Sequence, residues 1–514
     1  MTPLTGRVFI IGAGPGDPGL ITARGLRLLA EADVVVYDRA VDALLRWARP
    51  DAERIEVGAP AERETAQDAI SMLLAEKARE GRIVARLKWG DAFVFDSGAM
   101  EALFLHEQGV PFEVVPGIPV AIGATAYAGI PMTYPGGGDA VVLLRGHEGH
   151  TDAPPDIDWS AVARIDGTVI CYVSGRMAAT VLRALVDRGA PPDRAAALIY
   201  RGTLPSQQTV TGTIAQLLDL ASTSSSSEPA LLVVGEVANL RDHLRWFDQR
   251  PLFGKRIVVT QSHEQARDLV DALETLGAQA IEAPTFRLAP AEDPEAVDRA
   301  AATVDTYAWV IFESANAVAR FLGALTRGPR DLRALGGVSV CAIGPSTAER
   351  LVAHGIKPDV VIHEFRAEGV ADTISIERPI AGQRVLLVRP DHPHDVLAPD
   401  LTRRGAIVTD LIAYRTAPES PDAPAVQNLY RRLLDGHVDA VTFTSATGVR
   451  RFAELFGEEQ AADLLNITVV AAIGPVTAAA ADELGIQTTV MPDEYTVDGL
   501  VKALVNYFGD QLKT

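Results

Sequence analysis

The stretch WVIFESANAVARF (Trp309–Phe321) returns 131 positions later as AVTFTSATGVRRF (Ala440–Phe452). Around it, CAIGPSTAERLVAHGI (Cys341–Ile356) returns as AAIGPVTAAAADELGI (Ala471–Ile486), with Gly344 and Gly474 130 positions apart. GKRIVVTQ (Gly254–Gln261) returns as GQRVLLVR (Gly382–Arg389), a shift of 128. Each copy sets apolar runs before Gly/Ser-rich turns that lead into helices, the pattern of a parallel α/β sheet. The copies interlock in the chain. One lobe is therefore expected to hold 252–289 plus 417–514, and the other to be the insert 290–416, with crossings near Thr285–Leu288 and Ile412–Thr416. Two similar lobes whose strand-end loops face each other make a cleft, where ligands collect. The alternative is a duplicated scaffold with no site.

Composition bounds the rest. The chain has 514 residues, too many for one core, and three or four lobes are expected. It is 48% hydrophobic and 22% charged, with no apolar run of membrane-spanning length. The N-terminus MTPLTGRVFIIGAGPGD enters a strand almost at once and does not read as a signal peptide. Cys171 and Cys341 each lie in an apolar run and read as reduced core residues, which fits the cytoplasm. A net charge of −20 argues against nucleic acid as the main partner. It leaves room for an anionic small ligand held by backbone N–H groups.

The first half, 1–250, alternates strands (VFIIGAG, VVVYD, RIVARL, FEVVPG) with helical stretches such as QDAISMLLAEKAREG. The run YPGGGD (Tyr134–Asp139) divides it into lobes of about 1–134 and 139–250. A helix-like stretch ends at Pro251, and the second half, 251–514, starts there. IIGAGPGDPGLIT (Ile11–Thr22) is a strand running into a Gly/Pro loop, where Gly12, Gly14 and Gly16 let backbone approach a ligand. A dinucleotide fingerprint would need a third glycine at Asp17, so that reading fails. No metal site is expected: His147 and His150 in RGHEGH, and His392 and His394 in PDHPHD, have no supporting Cys or carboxylate cluster.

In order and spacing, the glycine loop, VVVYDR (Val34–Arg39), RLKWGDAFVF (Arg86–Phe95), FEVVPGIPVAIGATAYAGIP (Phe112–Pro131), LRGHE (Leu144–Glu148) and YRGTLPSQQTVTGT (Tyr200–Thr213) resemble S-adenosylmethionine-dependent uroporphyrinogen III C-methyltransferases. These belong to the tetrapyrrole methylases. The resemblance implies two α/β lobes holding S-adenosylmethionine, and a homodimer formed through this domain. It implies that Asp38 is the catalytic proton acceptor. It places cofactor contacts at Gly12, Gly14, Pro15, Gly16, Gly90, Asp91, Val94 and Gly202, and at the positions of Pro119, Val120 and Val173. The sequence departs from the family pattern where Trp89 replaces a glycine, Ala92 a proline, Pro119-Val120 a Thr-Ala pair and Val173 a methionine. Ala59 stands where the family has a lysine assigned as proton donor. Trp89 is expected to crowd the pocket, and Asp38, read alone, would be a helix cap.

The duplicated strands, the two AIGP-x-TA loops and LIAYRTAP together resemble uroporphyrinogen III synthase over about 252–505. This implies two α/β lobes joined by a two-strand ladder, with one lobe inserted in the other. It implies closure of hydroxymethylbilane to uroporphyrinogen III with inversion of the last pyrrole ring. Tyr414 and Thr477 match residues implicated in assisting loss of the hydroxyl. Ser314, Ser346, Thr347, Thr444 and Ser445 lie in strand-to-helix turns suited to substrate carboxylates, with helix capping as the competing role. Gln261 stands where many relatives carry arginine. Both resemblances together imply a bifunctional enzyme leading through precorrin-2 to sirohaem or cobalamin. The alternative is a synthase whose methylase-like half only binds ligand or serves as a structural module.

Overall fold

The computed structural model describes residues 6–49, 51–57, 66–145, 155–223, 226–261, 263–283, 286–362, 367–391 and 397–511. Ala59 and the histidines at 147, 150, 392 and 394 lie outside them.

Among the described residues, the strands form four sheets. The first is β1 (Arg7–Gly12), β2 (Val34–Tyr37), β3 (Glu53–Glu56), β4 (Ile83–Lys88) and β5 (Phe112–Val115), in the order β3-β2-β4-β1-β5 and wholly parallel. Its central strands are buried on both faces, as the near-continuous runs VFIIG and VVVY require. The second sheet is β6 (Ala140–Arg145), β7 (Gly167–Ser174), β8 (Ala195–Tyr200), β9 (Gln208–Thr213) and β10 (Pro229–Val234), in the order β6-β7-β10-β8-β9. Only its β6–β7 pair is parallel; the other three pairings are antiparallel.

The second half holds β11 (Arg256–Val259), β12 (Gln279–Glu282), β13 (Phe286–Pro290), β14 (Trp309–Phe312), β15 (Ser339–Ile343), β16 (Val360–Ile362), β17 (Arg384–Pro390), β18 (Ile407–Pro418), β19 (Ala440–Phe443) and β20 (Val469–Ala472). They form a four-stranded sheet, β12-β11-β19-β20, and a six-stranded sheet, β13-β18-β17-β14-β15-β16. The sequence repeat is also a repeat in register. Val385, Trp309 and Ser339 are side by side in one sheet, and Ile257, Ala440 and Val469 in the other. An antiparallel ladder runs from Phe286↔Pro418 to Pro290↔Tyr414.

Packing divides the chain into two compact units: Met1–Arg256 with Asp271–Ala280 and Val505–Thr514, and Ile257–Val270 with Ile281–Leu504. The break at 250 expected from the sequence is thus crossed by two short excursions. Backbone bonds from Leu252 to Leu276 (3.0 Å) and from Gln279 to Lys255 (2.8 Å) hold the first of them. Both cysteines are free and buried, and burial pushes each thiol up to about 12. Among the described residues, no helix is long and apolar enough to cross a membrane.

Candidate active sites

The glycine loop follows β1, and Trp89-Gly90-Asp91 follows the adjacent β4. Both stand at the carboxyl ends of parallel strands, where α/β sheets bind ligands. Gly14 and Gly90 exchange backbone bonds of 3.1 and 2.7 Å. Gly14 at φ +86° and Gly90 at φ +73° adopt the left-handed region that makes this bridge possible. The glycines serve the chain's own packing as well as any ligand. A Cβ on Gly12 would come within 2.5 Å of the Gly117 nitrogen, one on Gly16 within 2.9 Å of Thr203 Oγ1, and one on Gly202 within 2.4 Å of Ala124 Cβ. At these positions the chain itself takes the space of the missing side chain: backbone at Gly12, and the side chains of Thr203 and Ala124 at Gly16 and Gly202.

The surrounding contacts converge. Pro15 lies under Gly123, whose Cβ would meet its ring at 2.4 Å. The Asp91 carboxylate accepts N–H bonds from Phe93 and Gly117, each 2.8 Å. Val94 closes the same turn through the Asp91 carbonyl. Pro119 is the N-cap of the helix Val120–Tyr127, and Val120 is the nearest side chain to Gly90. Asp17 accepts the Gly19 N–H (2.8 Å) and the Tyr127 hydroxyl (2.6 Å), which explains a carboxylate where a dinucleotide fold has glycine. Ala92 is buried in the core of the first sheet.

Two expectations change. Trp89 does not stand free in a pocket: its indole N–H donates to the Pro15 carbonyl at 2.8 Å, and its ring packs against the cluster of Phe9, Ile11 and Val115. It clamps the glycine loop to β4. Val173 turns its side chain into the core of the second sheet, with Met177 and Leu182. Strand alternation gives the opposite face to Tyr172, whose hydroxyl accepts the Ala121 N–H at 3.1 Å. Three non-glycine residues nearby, Phe95, Arg201 and Thr203, have φ of 55°, 49° and 70°. Such backbone costs about 1–2 kcal/mol per residue and gathers at functional sites.

Asp38 occupies the N-cap position of the turn Arg39–Trp47 but makes no side-chain capping bond. Instead it pairs with Arg86 at 2.9 Å, with both side chains at most 3% exposed. Arg86 also meets Glu101 (3.3 Å), and Lys88 meets Glu101 (3.1 Å) and Asp96 (2.9 Å). Gln67 donates to Glu101 and Lys88 to Ser97. Burial raises the Glu101 carboxyl, but Arg86 and Lys88 outweigh it and hold the group below its ordinary value. Burial likewise opposes charge on Arg86, and Glu101 and Asp38 outweigh it, so that its pKa rises. The sequence reading missed Arg86, Lys88, Asp96 and Glu101. The signal was present: two cations at i and i+2 point to one face of a central, otherwise apolar strand, where only carboxylate partners make them tolerable.

In the second half, Tyr414 lies on β18 and is buried. Its hydroxyl is 3.0 Å from Ser314 Oγ, which also accepts the Ala317 N–H as the N-cap of the helix Ala315–Arg327. Burial raises the Tyr414 phenol, while Ser314, Asn316 and Arg320 pull it down. Ser346 is exposed and Thr347 buried in the first turn of Pro345–Ala353, after the neighbouring β15. Thr444 and Ser445 follow β19, where Ser445 caps Ala446–Phe456 by accepting the Gly448 N–H. Thr477 is buried in the first turn of Pro475–Asp482, after β20. Ser314 and Tyr414 are thus brought together. Among the described residues, no hydrogen bond joins either to Thr347, Ser445 or Thr477. Nor does any group of three His, Cys, Asp or Glu residues suited to a metal occur among them.

Residues 7–218 match the family model for tetrapyrrole (corrin/porphyrin) methylases, and residues 267–502 that for uroporphyrinogen-III synthase HemD. The porphyrin biosynthesis protein HemD of Ruminiclostridium josui is 31% identical over 510 residues, covering 99% of each chain. The uroporphyrinogen-III C-methyltransferase of Bacillus subtilis (strain 168) is 34% identical over 366 residues, 68% of this chain and 75% of its own. A siroheme synthase of Neisseria meningitidis serogroup B is 48% identical over 246 residues, and there the match spans only half of the relative's length. The chain belongs to the family of the porphyrin biosynthesis protein HemD, an enzyme with a tetrapyrrole methylase domain in its N-terminal half and a uroporphyrinogen-III synthase domain in its C-terminal half.

Proposed function

We propose that the two halves, divided near residue 250, carry successive steps of tetrapyrrole synthesis. The C-terminal half closes hydroxymethylbilane to uroporphyrinogen III with inversion of the last ring. The N-terminal half C-methylates that product at two ring carbons to give precorrin-2, on the branch to sirohaem or cobalamin. The buried Tyr414–Ser314 pair carries the first reading. A phenol held against a helix cap, with no metal or strong nucleophile needed, suits loss of a hydroxyl from a flexible substrate; orientation supplies most of the rate. Thr477 assists. The starts of the helices led by Ser314, Ser346-Thr347 and Thr444-Ser445 offer N–H groups to substrate carboxylates. Tethering raises the effective concentration of the first product at the second site.

For the methylase, the residues fit S-adenosylmethionine. The loops after β1 and β4 offer backbone groups at strand ends. Gly14, Pro15, Gly16, Gly90, Asp91, Val94, Pro119, Val120 and Gly202 would hold it. When bound, it supplies an electrophilic methyl group. Asp38, paired with Arg86, takes the pyrrole proton. A carboxylate of modest basicity suffices, because a C-methylated pyrrole is cationic and loses its proton readily. The test is incubation of the full chain with hydroxymethylbilane, with and without S-adenosylmethionine, and identification of the products by mass and isomer. The III isomer, then its dimethylated form, is expected.

A further inference from the structure

Asn316 lies in the first turn of the helix Ala315–Arg327, two residues beyond its Ser314 cap. It is 2% exposed, and among the described residues its amide nitrogen has no hydrogen-bond partner. Buried donors in native proteins are almost always paired, so one that is not asks for a reason. The reason lies next to it. Asn316 shares its helix start with Ser314, whose hydroxyl meets that of Tyr414 at 3.0 Å, and its side chain favours the ionised phenol in the same sense as Ser314 does.

A phenolic oxygen carries one proton and two lone pairs. Ser314 Oγ is already an acceptor for the Ala317 N–H, and its own proton can go to Tyr414. The Asn316 amide can donate to the second lone pair. The phenol's proton then has one direction left, away from the helix. The charged groups bearing on this phenol are Arg320, one turn along the same helix, and Glu313, just before Ser314.

We infer that Asn316 is a positioning residue of the ring closure: it seats Tyr414 so that the phenol proton meets the departing hydroxyl. The inference rests on the synthase reading given above. The substrate's carbon–oxygen bond breaks, and its electron pair leaves with oxygen. That oxygen takes the Tyr414 proton and departs as water. The tetrapyrrole is left as a cation and Tyr414 as a phenolate, stabilised by donors from Ser314 and Asn316. The proton lost when the ring rearomatises returns to the phenolate.

A double-mutant cycle on the full chain tests this, with hydroxymethylbilane as substrate and kcat and KM measured separately. Asn316→Leu, Tyr414→Phe and the double variant are compared with the parent. Asn316→Leu is expected to lower kcat about tenfold, the worth of one directed hydrogen bond, with KM little changed, and to have no further effect once Tyr414 is Phe. Asn316→Ala removes the amide and adds no charge, so it takes the same measurement if the leucine variant does not fold. Equal losses in the Tyr and Phe backgrounds would overturn the inference and make Asn316 a packing residue. A parent enzyme that yields only the I isomer would instead overturn the synthase reading itself.

Discussion

Arg86 Nη1 and Asp38 Oδ1 meet at 2.9 Å with almost no access to solvent. The carboxylate proposed as proton acceptor is therefore not a free base. It belongs to a buried network that includes Arg86, Glu101, Lys88 and Asp96. Breaking one side of a buried pair costs about 3–5 kcal/mol, because the partner charge is stranded. Asp38→Asn is expected to abolish methylation and to lower thermal stability. Glu101 remains to hold Arg86, so the loss should fall at the low end of that range. Calorimetry and methyl transfer on the same sample check this. A variant as stable as the parent would mean that the pair contributes nothing.

The same network predicts an acid limit. The Glu101 pKa is depressed in the folded protein, by Arg86 and Lys88 against burial. A group whose pKa is lowered on folding adds stability above its unfolded value, about 4.3, and loses it as pH falls through the folded value. The N-terminal half should lose stability below about pH 4, and Glu101→Gln should flatten that slope. Denaturation followed between pH 7 and pH 3, about the unfolded carboxyl range, checks it.

Trp89 tests the clamp. Its indole bond to the Pro15 carbonyl is worth about 1 kcal/mol net, so Trp89→Phe should weaken S-adenosylmethionine binding about fivefold by loosening the glycine loop. Titration calorimetry distinguishes this from the crowding expected of a bulky residue, for which affinity would rise.

Tyr414→Phe keeps the ring and removes the hydroxyl. Ser314 keeps its Ala317 N–H bond, so the fold should survive. The rate of ring closure should fall, by at most about 10²–10⁴-fold for one general acid. An unchanged rate would reduce Tyr414 to packing.

Ser314 and Ser445 are equivalent caps in the two repeats, each accepting an N–H three residues on. Replacing either by Ala should cost about 1 kcal/mol of stability. Only Ser314→Ala also removes a contact to Tyr414, so it should depress kcat further than Ser445→Ala.

The duplication was legible because strand, turn and helix repeat together, and the sheet registers keep the same offsets of 128, 131 and 130 as the sequence. The glycine-loop cluster was legible from its motifs, but not the use of its glycines. Whether a missing Cβ makes room for ligand or for Gly117 depends on a segment a hundred residues away. Trp89 read as an obstacle for the same reason, since its partner is the Pro15 carbonyl. Val173 was placed by resemblance, and strand alternation gives its side chain to the core while Tyr172 faces the first lobe's helix. Arg86 and Lys88 carried a signal in the bare sequence, as charges in a central strand. Asn316 carried none, because an unpaired amide is visible only once its surroundings are packed.

The central claim is that one chain both closes and methylates the macrocycle. Its most direct test is a single incubation of the folded full-length protein with hydroxymethylbilane and S-adenosylmethionine, followed by isomer and mass analysis. Uroporphyrinogen III carrying two added methyl groups is the predicted product. The I isomer alone would contradict the synthase half, and unmethylated III isomer alone would contradict the methylase half.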